Sequence, residues 1–159
     1  MTDLILEALN LTSVRYEIIE CDPDLADTTA FCEHYGYKPE ESANAIMVAG
    51  KGEPRVYAMC VVLATTRIDV NKSVRKKLGT KKASFASPEE ATEITGMTLG
   101  GVTPFGLPND LPLWIDSRVM NCEKVIVGGG SRNRKIYVPP RALSSLPNAE
   151  IVEDLAKEG

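Results

Sequence analysis

Few residues in this chain are obvious carriers of chemistry, and the most conspicuous group is a loop, Gly100-Gly101-Val102-Thr103-Pro104-Phe105-Gly106-Leu107-Pro108. Glycine permits positive φ and close approach of a ligand to the main chain, whereas proline fixes φ and withdraws a donor. Amides near Gly101, Val102 and Thr103 are therefore expected to point at a ligand oxygen, with Val102, Phe105 and Leu107 anchoring the loop in the core. The same stretch also reads as a tight, well-packed turn. A second group, Gly128-Gly129-Gly130-Ser131-Arg132-Asn133-Arg134-Lys135, sets a donor-rich turn with three bases between two apolar runs. Its plain reading is a hairpin with a wet basic tip; its chemical reading is a contact to a phosphate or a ribose.

Other site types are set aside. There is no GxxxxGK[ST] loop, HExxH or CxxC, and the three adjacent glycines lack the spacing and following helix of a dinucleotide fingerprint. A Ser-His-Asp or Cys-His arrangement would have to use His34, the one histidine, whose only notable neighbour is Glu33. Cysteines at 21, 32, 60 and 122 show no metal-type pairing and are expected to be reduced, mostly core thiols. Neither a metal nor an organic cofactor is expected.

The elements that must position these groups follow from pattern. Thr2 can cap a first helix with Leu4, Ile5, Ala8 and Leu9 on one side. Residues 14–20 read as a strand broken at Cys21-Asp22-Pro23. A short helix follows, with Thr28 or Thr29 as cap, Gly36 as stop, and Phe31, Cys32 and Tyr35 on its buried face. Residues 44–49 (NAIMVA) and 55–64 (RVYAMCVVLA) read as strands covered on both faces, because their apolar character is nearly continuous. Asn71 can cap a helix over 72–78 that ends at Gly79, and Ser87-Pro88 starts another that Gly96 closes. Residues 113–116, 124–127 and 135–138 form short strands, and closing helices are expected over 141–146 and 151–157. Strands from distant parts of the chain mixed with short helices predict an α/β or α+β fold, without the regular alternation of a doubly wound sheet.

The 159 residues are expected to form one domain, with 43% apolar and 25% charged residues. No apolar run has the length of a membrane span and the N-terminal residues lack a basic flank with an apolar core, so the expected compartment is the cytoplasm. The net charge of −4 hides an asymmetry: residues 1–53 hold eleven acids against three bases. Residues 67–82 hold seven bases (Arg67, Lys72, Arg75, Lys76, Lys77, Lys81, Lys82) against Asp69 alone, and residues 118–141 hold six against Glu123. Thirteen of eighteen bases thus fall in two segments, the pattern of a local phosphate footprint on an acidic protein, although a solvated helix face would look the same.

Five stretches in order, 63–79 (LATTRIDVNKSVRKKLG), 83–90 (ASFASPEE), 96–107 (GMTLGGVTPFGL), 111–116 (LPLWID) and 125–138 (VIVGGGSRNRKIYV), resemble the YbaK/EbsC-type, prolyl-tRNA-synthetase-associated editing domains. The resemblance runs from about residue 44 to residue 138. It implies a mixed, partly barrel-like sheet flanked by helices, and a trans-acting deacylase that hydrolyses mischarged tRNA. By that resemblance Gly100 to Pro104 (Gly100, Gly101, Val102, Thr103, Pro104) match the family's GxxxP loop, whose amides would hold the ester carbonyl or its oxyanion. Gly128 and Gly129 match the family's glycine turn, where many relatives carry serine at the first position. The lysine that many members place at the start of the central strand falls on Asn44, with Ala45 where threonine is common. The family acid near the end of the turn falls on Lys135.

Asparagine offers a neutral amide where lysine offers a charge, so Asn44 can hold a ribose or a water but supplies no cation. Lys135 would restore that charge from the opposite wall. Val102, Phe105, Ala45, Ile46 and their strand are expected pocket walls, with Arg132 of the turn at the terminal nucleotide. Lys72, Arg75, Lys76, Lys77, Lys81, Lys82 and Arg134 are the expected tRNA contacts, and a synthetase is a further expected partner. An alternative is a non-catalytic module on the same fold that binds tRNA or an aminoacyl ligand. The amino acid and the oligomeric state are not readable from these residues.

Overall fold

In the computed structural model, which describes residues 4–52, 54–97, 102–108 and 110–158, the two longest strands are β2 (Ala43–Gly50) and β3 (Val56–Leu63). They pair antiparallel, Asn44 opposite Val62 and Ile46 opposite Cys60. Side chains alternate across a strand, and here both faces are covered. Ala43, Met47, Met59 and Val61 enter one apolar cluster, while Val48, Ala58, Cys60 and Val62 enter another. The remaining strands are β1 (Glu17–Glu20), β4 (Thr66–Ile68), β5 (Ala83–Phe85), β6 (Leu113–Asp116), β7 (Val125–Gly128), β8 (Arg134–Val138), β9 (Ala149–Val152) and β10 (Ala156–Glu158). A five-stranded mixed sheet has the order β5-β2-β3-β6-β9, a three-stranded antiparallel sheet β1-β8-β7, and a two-stranded pair β10-β4. A lone bridge from Ser42 to Ile126 joins the first two sheets at an edge. They wrap a shared core of Leu9, Met59, Phe105, Leu113, Ile115 and Ile136, which makes the assembly partly barrel-like. This is the α+β arrangement expected from the pattern.

The helices lie around the sheets: α1 (Leu4–Leu11), α2 (Thr28–Tyr35), α3 (Arg75–Leu78), α4 (Pro88–Thr95) and α5 (Arg141–Ser144). Leu9 of α1 is buried against the core. The first turn of α2 starts from Asp27 rather than from Thr28 or Thr29, which frees the Thr28 hydroxyl for other work. Phe31 and Cys32 are buried as expected, but Tyr35 is only half-buried, its hydroxyl accepting from the Asp22 amide at 2.9 Å. Asn71 does not cap the basic helix: a π-helical turn, Val70–Val74, begins after Asp69 and runs into α3. Lys81 and Lys82 lie beyond that helix, leading into β5, a strand not expected from the sequence. Thr2, the expected cap of α1, lies outside the described residues.

The clearest correction is at the end of the chain, where a helix over 151–157 was expected and two strands are found. Helix propensity is a weak prior, and tertiary pairing overrides it. β9 pairs parallel to β6, with Ile151 opposite Ile115, and Asp154 turns the chain with φ of +57°. The buried Asp116 carboxylate accepts from the Ala156 amide at 2.7 Å, and Arg118 donates to the Ala156 carbonyl at 2.7 Å. Those bonds pin β10 beside β4, and Leu155 is buried in the second cluster.

α4 starts with a capping box: the Ser87 hydroxyl accepts from the Glu90 amide and the Glu90 carboxylate accepts from the Ser87 amide. Glu90 also accepts from the Tyr57 hydroxyl at 2.5 Å and from Arg55 Nε at 2.7 Å. The Tyr57 hydrogen bond, with the Ser87 amide and Arg55, lowers the Glu90 pKa to about 2. A carboxyl depressed in the folded state contributes stability above its unfolded value, lost as pH falls through the folded one. Glu90→Gln is therefore expected to lower stability at pH 7. The difference from wild type should shrink between pH 4.5 and about 2, read by denaturant melts across that window. A difference independent of pH would contradict this account.

Candidate functional site

Three segments meet where the two sheets join, and between them lies a cavity of about 250 Å³. β2 contributes Ala43, Asn44, Ala45 and Ile46; β7 contributes Ile126, Val127 and Gly128; β8 contributes Lys135. Asp27, Thr28 and Phe31 close it from the start of α2, and Val102 from the loop that follows the outside-described residues 98–101. The lining is mostly apolar, with Asp27, Thr28, Ser42, Asn44 and Lys135 as its polar members. Of the expected site residues, the fold thus brings together Asn44, Ala45, Ile46, Val102, Gly128 and Lys135.

Lys135 is the unusual member. Only 8% of it is exposed. Among the described residues its ammonium has no hydrogen-bond or ion-pair partner, and its Nζ sits 5.7 Å from the centre of the Phe31 ring. Burial lowers its pKa below the ordinary lysine value, with the charges of Cys21 and Asp27 opposing that shift and Arg132 adding to it. Holding a cation in such a place is costly unless something anionic or electron-rich meets it. β8 sets this position by register: Lys135 pairs with Ile19 on one side and Gly128 on the other.

Asn44 is fixed as an acceptor. Thr28 Oγ1 donates to Asn44 Oδ1 at 2.8 Å, which engages the amide oxygen and leaves the NH₂ group as the donor of that side chain. Sequence reasoning missed Thr28 as a site residue, because it read as a helix cap. The displaced cap role was the only available signal. Cys21, which interacts electrostatically with Lys135, is not set up as a nucleophile: burial pushes its thiol up against the opposing Lys135 charge. The Cys60 thiol, deep in the second cluster, is pushed up to about 12. His34 is exposed and stacks edge-on against Tyr35, away from the cavity lining.

Other expected site residues stand elsewhere. Gly100 and Gly101 lie outside the described residues. Thr103, Pro104 and Phe105 are buried and do not line the cavity, Phe105 being part of the core under Val102. Its expected place as a pocket wall is therefore corrected to support from beneath. Gly129 is likewise not a wall; it packs against Arg134, whose Nε donates to the Gly129 carbonyl at 2.5 Å. Arg132 reaches sideways to the Pro23 carbonyl at 2.9 Å and lies 3.9 Å from Asp27, bracing the entry to α2. Among the expected tRNA contacts, Lys77 is tied down by Glu150 and lies over the Trp114 ring, and Arg75 Nε donates to the Asn71 carbonyl at 3.0 Å. Lys72, Lys76, Lys81 and Lys82 are exposed.

In this α+β domain one lysine among the described residues is buried, and it lines a small cavity at a sheet junction. The chain belongs to the aminoacyl-tRNA editing domain family, whose model matches residues 22–146. It is 30% identical over 142 residues to the "Uncharacterized protein YwhH" of Bacillus subtilis (strain 168), covering 89% of this chain and 88% of that one. It is 27% identical over 113 residues to the "Putative Cys-tRNA(Pro)/Cys-tRNA(Cys) deacylase EbsC" of Enterococcus faecalis (strain ATCC 700802 / V583), covering 71% of this chain and 66% of that one. Two solved structures share the fold. The crystal structure of "hypothetical protein APE2540" has a TM-score of 0.86 at 21% identity, covering 98% of this chain and 100% of that one. The "putative trans-editing enzyme for prolyl tRNA synthetase" has a TM-score of 0.79 at 23% identity, covering 98% and 93%. No helix among the described residues is long and apolar enough to cross a membrane.

Proposed function

We propose that this chain, as a single domain over 1–159, is a trans-acting aminoacyl-tRNA deacylase that hydrolyses the ester of mischarged tRNA. The observation that carries this reading is the buried, unpartnered Lys135 ammonium facing the same small cavity as Asn44. Membership of the editing family supports the substrate class.

An aminoacyl ester is already activated, so a positioned water and a stabilised oxyanion suffice. Water attacks the ester carbonyl carbon and the carbonyl oxygen takes up negative charge. Lys135 lies where it can meet that charge, in the role that a lysine on β2 would otherwise fill. The Asn44 NH₂ group, left as donor when Thr28 engages the amide oxygen, holds the terminal ribose or the water. The intermediate then collapses with cleavage of the bond to the ribose oxygen, which takes a proton, and the free amino acid leaves. Ala43, Ala45 and Val102 keep the acyl pocket small, which selects by size. Exposed Lys72, Lys76, Lys81 and Lys82 supply general attraction for the RNA backbone.

The test is a panel of correctly and incorrectly charged tRNAs offered to the purified protein, with Asn44→Ala alongside. Hydrolysis of a few mischarged species, slowed up to about tenfold in Asn44→Ala by the loss of one hydrogen bond, is expected. Absence of hydrolysis across the panel, with tRNA binding retained, would make the chain a binding module instead.

A further inference from the structure

A second cavity, of about 490 Å³, opens beside the first, and Asn44 and Ile46 line both. Its floor follows from strand register. Asn44, Ile46 and Val48 project from the same face of β2, Val62 stands opposite Asn44, and Phe85 stands opposite Val48. Val62 and Ile46 therefore form an apolar floor and Phe85 a wall. Phe85 is an aromatic ring left 55% exposed on the edge strand β5.

The opposite wall carries two bases, Arg67 and Lys157, and one acid, Asp69. Arg67 on β4 and Lys157 on β10 are direct cross-strand partners, and both line the cavity. Like charges directly opposite each other destabilise an antiparallel pair. Lys157 is offset in part by Asp69 at 3.4 Å. Arg67 has no hydrogen-bond or ion-pair partner among the described residues. Paired cations over one cavity, one of them unanswered, fit an anion between them.

Resting on the deacylase reading above, we propose that this second cavity is the subsite for the 3′-terminal nucleotide of the charged RNA. The base lies on Phe85 over the Val62–Ile46 floor, and the phosphate lies between Arg67 and Lys157. The ribose then falls at Asn44, on the saddle between the cavities, with the acyl group pointing to Lys135. Stacking on an exposed aromatic with cationic support is the usual physics of single-stranded nucleic-acid binding. It places recognition of the RNA end on β4, β5 and β10.

The experiment is calorimetric titration of the full chain with a 5′-phosphorylated CCA trinucleotide, with AMP and with inorganic phosphate. Phe85→Ala and Arg67→Ala, both at exposed positions, are each expected to weaken trinucleotide binding at least tenfold, and Lys38→Ala, a charge-matched change away from the cavity, by less than twofold. AMP is expected to bind more weakly with the same dependence. In deacylation the same two variants raise KM. Failure of the trinucleotide to bind, binding indifferent to both substitutions, or phosphate binding as tightly as the trinucleotide would each overturn the subsite. Binding that depends on Phe85 and Arg67 without hydrolysis of any charged tRNA would leave the subsite standing and remove the deacylase. Hydrolysis with normal trinucleotide binding in both variants would do the reverse.

Discussion

Lys135→Ala is expected to lower deacylation on the order of 10²–10³-fold, the effect of deleting one preorganised group at a developing oxyanion. Its structural consequences should be of the opposite kind. The ammonium is buried, makes no hydrogen bond or ion pair among the described residues, and titrates below an ordinary lysine because of that burial. Removing it relieves a desolvation cost, so the melting temperature should hold or rise while activity is lost. A base whose folded pKa is depressed makes the unfolded state bind more protons between the two values, so wild-type stability rises with pH through that window. That rise should be absent in Lys135→Ala.

The rate offers a second reading of the same group. If the cation is the working form, the enzyme-dependent rate should fall as pH rises through the lowered lysine pKa, below 10.5. Lys135→Arg, which stays protonated, should lose that alkaline limb while keeping a measurable rate. Unchanged deacylation in Lys135→Ala, measured against tRNA alone at each pH, would dispose of the role given to this residue.

Gly129→Ala is expected to be damaging because the added methyl meets backbone. A Cβ there would lie 2.5 Å from Arg134 Cγ, 2.7 Å from the Arg134 carbonyl oxygen and 3.0 Å from its carbon. Two of those three atoms are backbone, so rotating a side chain does not relieve the clash. At Gly130 the contact, though closer at 2.0 Å, is with the far end of Ile5, which can turn away. The expected cost for Gly129→Ala is about 1–3 kcal/mol, the range for overpacking. That is a fall of roughly 2–12 °C in melting temperature for a chain of this size.

Activity should fall further than stability explains, because Gly128 and Lys135 are paired across the turn that Gly129 closes. Gly36→Ala is the control: it carries a left-handed φ of +79° but has nothing within 4 Å of the added methyl. It should cost about 1 kcal/mol and leave the rate alone. Equal loss of rate in both variants would show that the turn does not position Lys135.

How much of this was legible beforehand depends on how local the cause is. The covered strands 44–49 and 55–64, the helix cap at Ser87 and the stop at Gly36 are written in residue type and short spacing, and the structure has them. Asn44 and Lys135 were also legible as candidates, since each marks a departure from a family pattern that the chain otherwise resembles. The helix expected over 151–157 was not legible as two strands. Its residues favour a helix by themselves, and Asp116, Arg118 and β6, 36–40 residues earlier in the chain, together with β4, supply the bonds that hold it extended.

The same division runs through the site. Residue types by themselves marked a glycine turn and two basic segments, because those follow from composition and spacing. That Lys135 is buried and lines the same cavity as Asn44, that Thr28 engages that amide, and that Arg67 meets Lys157 beside Phe85 depend on cross-strand register between segments up to about 90 residues apart. Register is set where sheets share a core, and a side-chain period of two means that a slip by one residue would turn Lys135 and Asn44 away from the cavity. Only the tertiary structure decides that.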